Sequence, residues 1–217
     1  KRQKKYVQEF KNNLNEICKP SIRKYTGTPY TKVSFLLDYK RFGIEKLTDD
    51  MYHVLKKRAY DMAAVTDKSV TVRWNKKNIP LRTFEKYINM YIGSKSETSR
   101  IYEKYNARWE IAVCRSPLDE FAQISFVNGI NTGKGGKHID YILNQIIRKT
   151  TAYILKKKKV KVKPATIKEQ LMLFVNCVIE NPTFSSQTKD FMNLPIKKFG
   201  SKCDISNKFI ERIIKLG

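Results

Sequence analysis

The segment Asn181-Pro182-Thr183-Phe184-Ser185-Ser186-Gln187-Thr188-Lys189-Asp190 is the most informative stretch of this chain. It places an amide donor, Gln187, two residues before an ammonium group, Lys189, just after a turn that contains proline. A neutral donor and a positive charge at fixed positions are what a phosphate group requires. For the bare tripeptide Gln187-Thr188-Lys189, a solvated lysine on a surface turn is the simpler interpretation. The choice between that turn and a phosphate-binding loop therefore depends on the rest of the sequence.

The charge of the chain is strongly one-sided. Its 217 residues include 44 Lys and Arg against 20 Asp and Glu, a net charge of +24, with 41% hydrophobic residues. That length allows one large or two small domains with a buried core. The positive excess favours an anionic partner, namely nucleic acid, nucleotide or an acidic membrane. A compositional bias towards Lys, Ile and Asn would also raise the charge, but it would not cluster the lysines. No apolar stretch approaches the length of a membrane span, so we expect no membrane partner.

The lysines cluster most densely in the run Lys156-Lys157-Lys158-Lys159, followed by Lys161 and Lys163 and ending at Pro164. Mutual repulsion predicts that this run is a solvated loop. The same charges can engage several phosphates without reading a base sequence. We therefore expect Lys156, Lys157, Lys158 and Lys159 to contact nucleic acid, against the alternative of a loop that serves only solubility.

The hydrophobic pattern alternates irregularly between strand and helix periods, which predicts the α+β class. The predicted strands are Tyr6–Phe10, Tyr30–Phe35, a hairpin over residues 70–81, Arg108–Cys114 and Ala122–Val127, the last two as neighbours. The predicted helices are Asp49–Ala64, Phe84–Tyr91, Ile139–Ile154 and Ser206–Leu216. We also expect Asp49 or Asp50 to cap the first helix, and Ser185 or Ser186 to cap a short helix in the Gln187 loop.

Metal chemistry has little support in the sequence. The cysteines, Cys18, Cys114, Cys177 and Cys203, are scattered without a Cys-x-x-Cys pair, and the histidines are His53 and His138. We expect no metal site. The glycines between Gly129 and Gly136 depart from the spacing of a Walker loop, and they predict a flexible turn that leads into the long helix. His138, at the start of that helix, is expected to be a structural hydrogen-bonding residue.

Five further segments carry a family resemblance, namely Tyr6-Val7-Gln8-Glu9-Phe10-Lys11-Asn12-Asn13, Tyr30-Thr31-Lys32-Val33-Ser34-Phe35, Lys57-Arg58-Ala59-Tyr60-Asp61-Met62-Ala63, Ser125-Phe126-Val127-Asn128-Gly129-Ile130-Asn131-Thr132 and Gly135-Gly136-Lys137-His138. Together they resemble the ATPase region of eukaryotic-type type IIA DNA topoisomerases. The 181–190 segment closely resembles that family's nucleotide-sensing loop, with Ser185 where the family usually has Asp.

The resemblance implies a fold and a set of roles. Residues 1–80 would be the C-terminal part of a GHKL ATP-binding domain, an α/β sandwich, and residues 81–217 a transducer domain of ribosomal S5 domain 2-like type. Thr31 would lie under the adenine. Gln187 and Lys189 would contact the γ-phosphate and act in catalysis. The Lys156–Lys159 run would face the cavity that holds DNA.

The resemblance also implies an enzyme of which this chain is one part. That enzyme is a nuclear homodimer that hydrolyses ATP with Mg²⁺, closes a dimer gate when ATP binds, and passes one DNA duplex through another. Its general base and its magnesium ligand are expected upstream of this chain, so the chain alone is expected to be inactive. Two alternatives remain at this stage: another GHKL ATPase of the mismatch-repair or chaperone type, or a basic nucleic-acid-binding protein without enzymatic activity.

Overall fold

The computed structural model describes residues 3–216 and has the α+β architecture that the sequence predicts. Lys1, Arg2 and Gly217 lie outside the described residues. The strands are β1 (Lys4–Val7), β2 (Phe10–Lys11), β3 (Glu16–Ile17), β4 (Ser21–Lys24), β5 (Arg73–Trp74), β6 (Lys77–Asn78), β7 (Arg100–Asn106), β8 (Trp109–Arg115), β9 (Ala122–Val127), β10 (Ile130–Asn131) and β11 (Leu171–Cys177). The helices are α1 (Asp49–Val65), α2 (Phe84–Ile92), α3 (Lys137–Lys158), α4 (Pro164–Glu169) and α5 (Asn207–Ile214).

The chain forms two compact units, which divide between Val54 and Leu55, within α1. This division reflects contacts within the folded chain, whereas the predicted boundary between residues 80 and 81 separates the two domains that the family resemblance implies. The assignment of residues 1–80 and 81–217 to two family domains therefore stays a prediction.

A five-stranded sheet organises the second unit, in the order β10-β9-β11-β8-β7. The strand β11 pairs with β8 in antiparallel and with β9 in parallel orientation. The prediction that β8 and β9 are neighbours is therefore wrong, because β11, which comes later in the chain, lies between them. The sequence analysis also missed the edge strand β7.

Both faces of this sheet are buried. Along β11, Leu173 and Val175 point into one core, with α3 and α5, while Met172 and Phe174 point into the other, with α2. A strand that is buried on both sides has no polar face, which explains the continuous apolar run from residue 171 to 175. The second unit is thus a three-layer arrangement of helices, sheet and helices.

The helix α3 is the longest element, with 22 residues, and spans about 33 Å at about 1.5 Å per residue. Its buried face confirms the predicted 3/4 spacing, with Ile139, Ile142, Leu143 and Ile146 all in the core.

The helix continues through Lys158, and Lys159 ends it in a left-handed conformation with φ of 56°. The expectation that the whole lysine run is a loop is therefore wrong. Cations are favoured at the C-terminus of a helix, because its last carbonyl groups carry partial negative charge, and this offsets the repulsion between the lysines.

The first unit contains two small antiparallel pairings, β1 with β4 and β2 with β3. The predicted strand Tyr30–Phe35 is wrong: the segment is irregular, and Val33 and Phe35 are 82% and 71% exposed. A strand requires a partner for its backbone hydrogen bonds. Among residues 3–54, no strand pairs with this segment.

Capping and turn residues determine two further elements, namely the start of α1 and the hairpin within residues 70–81. The helix α1 is confirmed, but its cap is Thr48, whose Oγ1 accepts the Met51 N–H at 3.3 Å, rather than Asp49 or Asp50. The predicted hairpin over residues 70–81 is confirmed in a shorter form. Its turn residues Asn75 and Lys76 have φ of 46° and 67°, as a tight two-residue hairpin turn requires.

Candidate functional site

The most informative sequence segment forms a narrow hairpin over residues 183–193, which we call the 183–193 hairpin. The Asn193 N–H donates to the Thr183 carbonyl at 3.0 Å, and the Ser185 N–H donates to the Phe191 carbonyl at 3.1 Å. Met192 forms an isolated antiparallel bridge on the same hairpin. These main-chain bonds fix the two arms of the hairpin and leave its tip, residues 186–189, to present side chains.

The tip is closed from within by hydrogen bonds. The Lys189 N–H donates to the Ser186 carbonyl at 3.1 Å, and Lys189 itself has φ of 59°. The Ser186 hydroxyl lies 2.7 Å from the Thr188 hydroxyl and donates to Asp190 Oδ1 at 3.0 Å. The expected short helix after Ser185 or Ser186 is therefore wrong, because this segment is a turn.

The tip exposes the two predicted phosphate ligands. The side chains of Gln187 and Lys189 are both exposed, and that of Gln187 hydrogen-bonds to no residue between 3 and 216. Lys189 Nζ lies 5.8 Å from the centroid of the Phe184 ring. A cation–π contact at an exposed site is worth only about 0.5–1 kcal/mol, so an anion can draw the ammonium away.

A second segment, the glycine turn (residues 132–136), fixes the 183–193 hairpin in place. The Lys134 N–H donates to the Asp190 carbonyl at 2.9 Å, and the Met192 N–H donates to the Gly135 carbonyl at 3.1 Å. The N–H of Lys137, the first residue of α3, donates to the Met192 carbonyl at 2.9 Å. The hairpin thus satisfies a donor that the N-terminus of α3 would otherwise leave unpaired.

Gly136 permits the close approach of these two segments. It has φ of 138°, and a Cβ atom built on it would lie only 2.1 Å from the Met192 carbonyl oxygen. No other residue type fits this position without moving the backbone. The glycine cluster forms the predicted turn before α3 and is also a contact surface for the 183–193 hairpin. Its flexibility stays a prediction.

An ion pair adds to the main-chain contacts. Lys134 Nζ lies 2.6 Å from Asp190 Oδ2. The hydrogen bond from the Lys134 ammonium lowers the pKa of the Asp190 carboxyl below its usual value, so that this group is ionised at neutral pH.

Buried polar side chains connect the glycine turn to the sheet. The hydroxyl of Ser125, on β9, lies 2.6 Å from Thr132 Oγ1, which lies 3.1 Å from His138 Nε2. All three side chains are fully buried, and burial lowers the pKa of His138 to about 3. His138 is therefore neutral at physiological pH, and it has the structural role that the sequence predicts.

The remaining predicted residues are on other segments of the chain. Thr31 is exposed in the irregular segment of the first unit. Lys156 to Lys159 are exposed at the C-terminal end of α3, whose N-terminal end contacts the 183–193 hairpin. The structure therefore places the predicted phosphate ligands and the predicted DNA ligands at opposite ends of one helix.

Sequence reasoning missed three contact residues, namely Lys134, Asp190 and Met192. Main-chain pairing carries no signature in the sequence, and lysine and aspartate are common residues. The one available signal was the adjacent pair of glycines, since a built Cβ at Gly136 is blocked by another part of the backbone.

Neither a metal-binding cluster nor a membrane-spanning helix is present among residues 3–216. Between residues 3 and 216, no group of three or more His, Cys, Asp or Glu side chains could hold a metal ion. No helix in this range is long and apolar enough to cross a bilayer.

Comparison with known proteins assigns a family to this arrangement. Residues 81–215 match the family model for DNA gyrase B. The chain belongs to the DNA gyrase B family of type IIA topoisomerases. This confirms the resemblance that the sequence motifs indicate.

The most informative relatives are eukaryotic topoisomerases II. DNA topoisomerase 2 of Candida glabrata is 42% identical over 98% of this chain, which corresponds to 16% of that protein. The Saccharomyces cerevisiae enzyme is 40% identical over 97% of the chain, again 16% of that protein. The chain thus spans about one sixth of the length of these relatives.

Solved structures match the fold as well. The ATPase region of Saccharomyces cerevisiae topoisomerase II superposes with a TM-score of 0.90 at 41% identity, and covers 98% of this chain and 55% of that one. The ATPase and transducer domains of Balamuthia mandrillaris topoisomerase II give a TM-score of 0.84 at 29% identity, with 99% of this chain covered and 55% of that one. The fold is therefore the C-terminal portion of a GHKL domain followed by a transducer domain. Neither alternative, another GHKL ATPase or a basic nucleic-acid-binding protein without enzymatic activity, is needed to explain the chain.

The contact at Gly136 leads to a stability prediction. Gly136→Ala should lower the free energy of unfolding by about 3 kcal/mol, because overpacking and an unfavourable φ each cost about 1–3 kcal/mol. Urea denaturation measures this change. Gly133→Ala is the matched control, since its Cβ would meet only Asn131 Oδ1, at 3.6 Å. Equal effects of the two changes would show that the close approach to Met192 does not exist.

The buried His138 leads to a prediction on pH. Its pKa of about 3 in the folded state lies below the value of 6.5 expected on unfolding, so the unfolded chain takes up a proton below pH 6.5. The free energy of unfolding should fall as pH drops from 6.5 towards 3, by up to about 1.4 kcal/mol per pH unit from this group. His138→Gln should remove that component of the slope in urea titrations at several pH values, whereas the exposed His53→Gln should leave it in place. The same slope in the wild type and in His138→Gln would contradict the burial of a neutral His138.

Proposed function

We propose that this chain is the nucleotide-sensing and signal-relaying part of an ATP-dependent type IIA DNA topoisomerase. In the complete enzyme, ATP binding would close an N-terminal dimer gate, and loss of the γ-phosphate would be relayed towards the DNA during duplex passage. The observation that carries the proposal is the attachment of the Gln187 and Lys189 turn to the first residue of α3. Membership in the topoisomerase family and similarity to solved ATPase regions support it.

Gln187 and Lys189 would bind the γ-phosphate. Lys189 would supply a positive charge and Gln187 a neutral amide donor, from a turn that internal hydrogen bonds hold in shape. Preorganised donors of this kind stabilise the charge that develops during phosphoryl transfer. Thr31 would contribute to the adenine site, as the family resemblance implies.

The relay would run from the turn through the glycine turn into α3. Three main-chain hydrogen bonds join Asp190 and Met192 to residues 134–137, so a displacement of the 183–193 hairpin acts on the N-terminus of α3. A helix transmits such a displacement as a rigid element over about 33 Å. The phosphate contacts exist in only one nucleotide state, and this difference is what allows a ligand to shift the conformational equilibrium.

The lysines at the far end of α3 would contact duplex DNA. Lys156 to Lys159 are exposed, and their charges can neutralise backbone phosphates without reading sequence. One helix would thus connect a nucleotide sensor at its N-terminus with a DNA-contacting surface at its C-terminus.

The other requirements of the reaction would be met outside this chain. The residues between 3 and 216 do not fit a magnesium site, since no cluster of three suitable side chains is present among them. We propose that the magnesium ligand and the general base lie upstream in the complete protein. We also propose that the complete protein is a nuclear homodimer, and that residues 1–80 are a GHKL part and residues 81–217 a transducer, as the family resemblance implies.

The phosphate-sensing role leads to a prediction on turnover. In the full-length enzyme, Lys189→Ala should lower ATP turnover by roughly 10²-fold or more, the scale of losing one preorganised donor. Gln187→Ala should act in the same direction but more weakly, because it removes a neutral donor. Steady-state ATPase assays measure both changes, with the exposed Lys198→Ala as a control that should retain activity.

ADP provides the decisive comparison for these variants. Its affinity should change little in either one, because ADP lacks the group that they contact. Equal losses of affinity for ADP and for a non-hydrolysable ATP analogue would show that the turn serves folding, and the sensor proposal would fail.

The lysine run leads to a prediction on salt dependence. Replacing Lys156 to Lys159 with Gln should make the slope of log DNA affinity against log salt concentration less steep by up to about 3.6, at about 0.9 per lost phosphate contact. DNA-stimulated ATPase should fall while the basal rate is retained. Gln at Lys197, Lys198, Lys202 and Lys208 removes the same number of exposed charges and should alter the slope much less. An identical slope in both quadruple variants would mean that the run has no specific contact with DNA.

A further inference from the structure

Asp190 occupies a central position in the contact between the two segments, because each of its carboxylate oxygens has a different partner. Oδ1 accepts the Ser186 hydroxyl at 3.0 Å, which closes the tip of the 183–193 hairpin from within. Oδ2 lies 2.6 Å from Lys134 Nζ, which ties that tip to the glycine turn. The side chain of Asp190 is only 27% exposed, whereas that of Lys134 is 74% exposed.

We propose that the Lys134–Asp190 ion pair is a latch that positions the phosphate-binding turn, and that Lys134 and Asp190 are positioning residues for ATP turnover. The inference rests on the proposed function of Gln187 and Lys189 and identifies what holds those residues in place. Lys134 acts through Asp190 and does not contact the nucleotide.

The backbone conformation of the turn shows why a latch is useful there. Lys189, directly before Asp190, has φ of 59°, a left-handed conformation that residues with a Cβ seldom adopt. Such a conformation persists only where the surroundings enforce it. The Asp190 carboxylate supplies this constraint on one side of Lys189, and the Ser186 carbonyl, which accepts the Lys189 N–H, supplies it on the other.

The latch is distinct from the main-chain contacts that hold the two segments together. The Lys134 N–H still reaches the Asp190 carbonyl when either side chain is replaced, and both bonds of Met192 remain. Loss of the ion pair should therefore leave the fold intact and change only how firmly the tip is held. An exposed ion pair contributes at most about 1 kcal/mol of free energy, which changes the equilibrium constant for holding the tip by about fivefold.

The test uses steady-state ATPase assays on the full-length enzyme carrying Lys134→Met, Asp190→Asn, both changes together, or Lys134→Arg. Each single change should lower kcat about two- to fivefold, and the double variant should fall no further, because both changes remove one interaction. Lys134→Arg keeps the ion pair and should restore kcat. ADP affinity should match the wild type in every variant, and the urea midpoint should shift by no more than the loss of one exposed ion pair allows.

Lys137→Met is the matched control. Lys137 Nζ forms an exposed ion pair with Asp140, at 3.4 Å, one turn into α3 and without contact to Asp190. Its loss should leave kcat at the wild-type level. A loss as large as that of Lys134→Met would overturn the latch, because the effect would then follow from removing any lysine in this region.

Two further outcomes would also overturn the proposal. Additive losses in the double variant would mean that the residues act independently. If Lys134→Met weakened binding of an ATP analogue while Asp190→Asn strengthened it, Lys134 would contact phosphate directly. The proposed function is tested separately. Normal ATP turnover in Lys189→Ala would overturn the sensor proposal itself. Reduced turnover in Lys189→Ala, together with normal kcat in Lys134→Met and Asp190→Asn, would overturn only the latch.

Discussion

The main chain of Met192 is the constraint on which the rest of the candidate site depends. Its N–H donates to the Gly135 carbonyl, and its carbonyl accepts the N–H of Lys137, so one residue joins the hairpin to the turn before α3 and to α3 itself. The approach is possible only because Gly136 has no side chain. Moving Met192 would break bonds on both sides, because the hairpin and the helix start are joined into one hydrogen-bonded unit.

The three-layer fold explains how such a junction can act over a distance. The helix α3 packs along the sheet through Ile142 and Ile146, and its first turn is held to β9 through the buried side chains of Thr132 and His138. A helix fixed in this way cannot bend freely, so a shift at its start has to be taken up along its length or by the sheet. The exposed lysines at its far end would experience that shift. This packing supports the relay that we propose between the two sites.

How much the sequence predicts depends on whether a feature has a local cause. The face of α3 and the hairpin turn at Asn75 and Lys76 have local causes, in side-chain periodicity and turn chemistry, and were predicted. The position of β11 between two earlier strands is a matter of long-range pairing and was missed. Tyr30–Phe35 has the alternation of a strand, but a strand also needs a neighbour. For the site, the motif predicted Gln187 and Lys189, whereas the main-chain bonds that attach their hairpin to the glycine turn and to α3 have no sequence signal.

The central claim is that the 183–193 hairpin and the glycine turn form one cooperative element, and amide hydrogen exchange of the protein tests it most directly. The N–H groups of Lys134, Lys137 and Met192 each donate across the junction, so they should be protected to a similar degree and become exchangeable in the same opening event. A non-hydrolysable ATP analogue should raise the protection of all three together. Rapid exchange at Met192 and Lys134 beside slow, unchanged exchange at Lys137 would mean that the hairpin moves independently of α3 and would contradict the account.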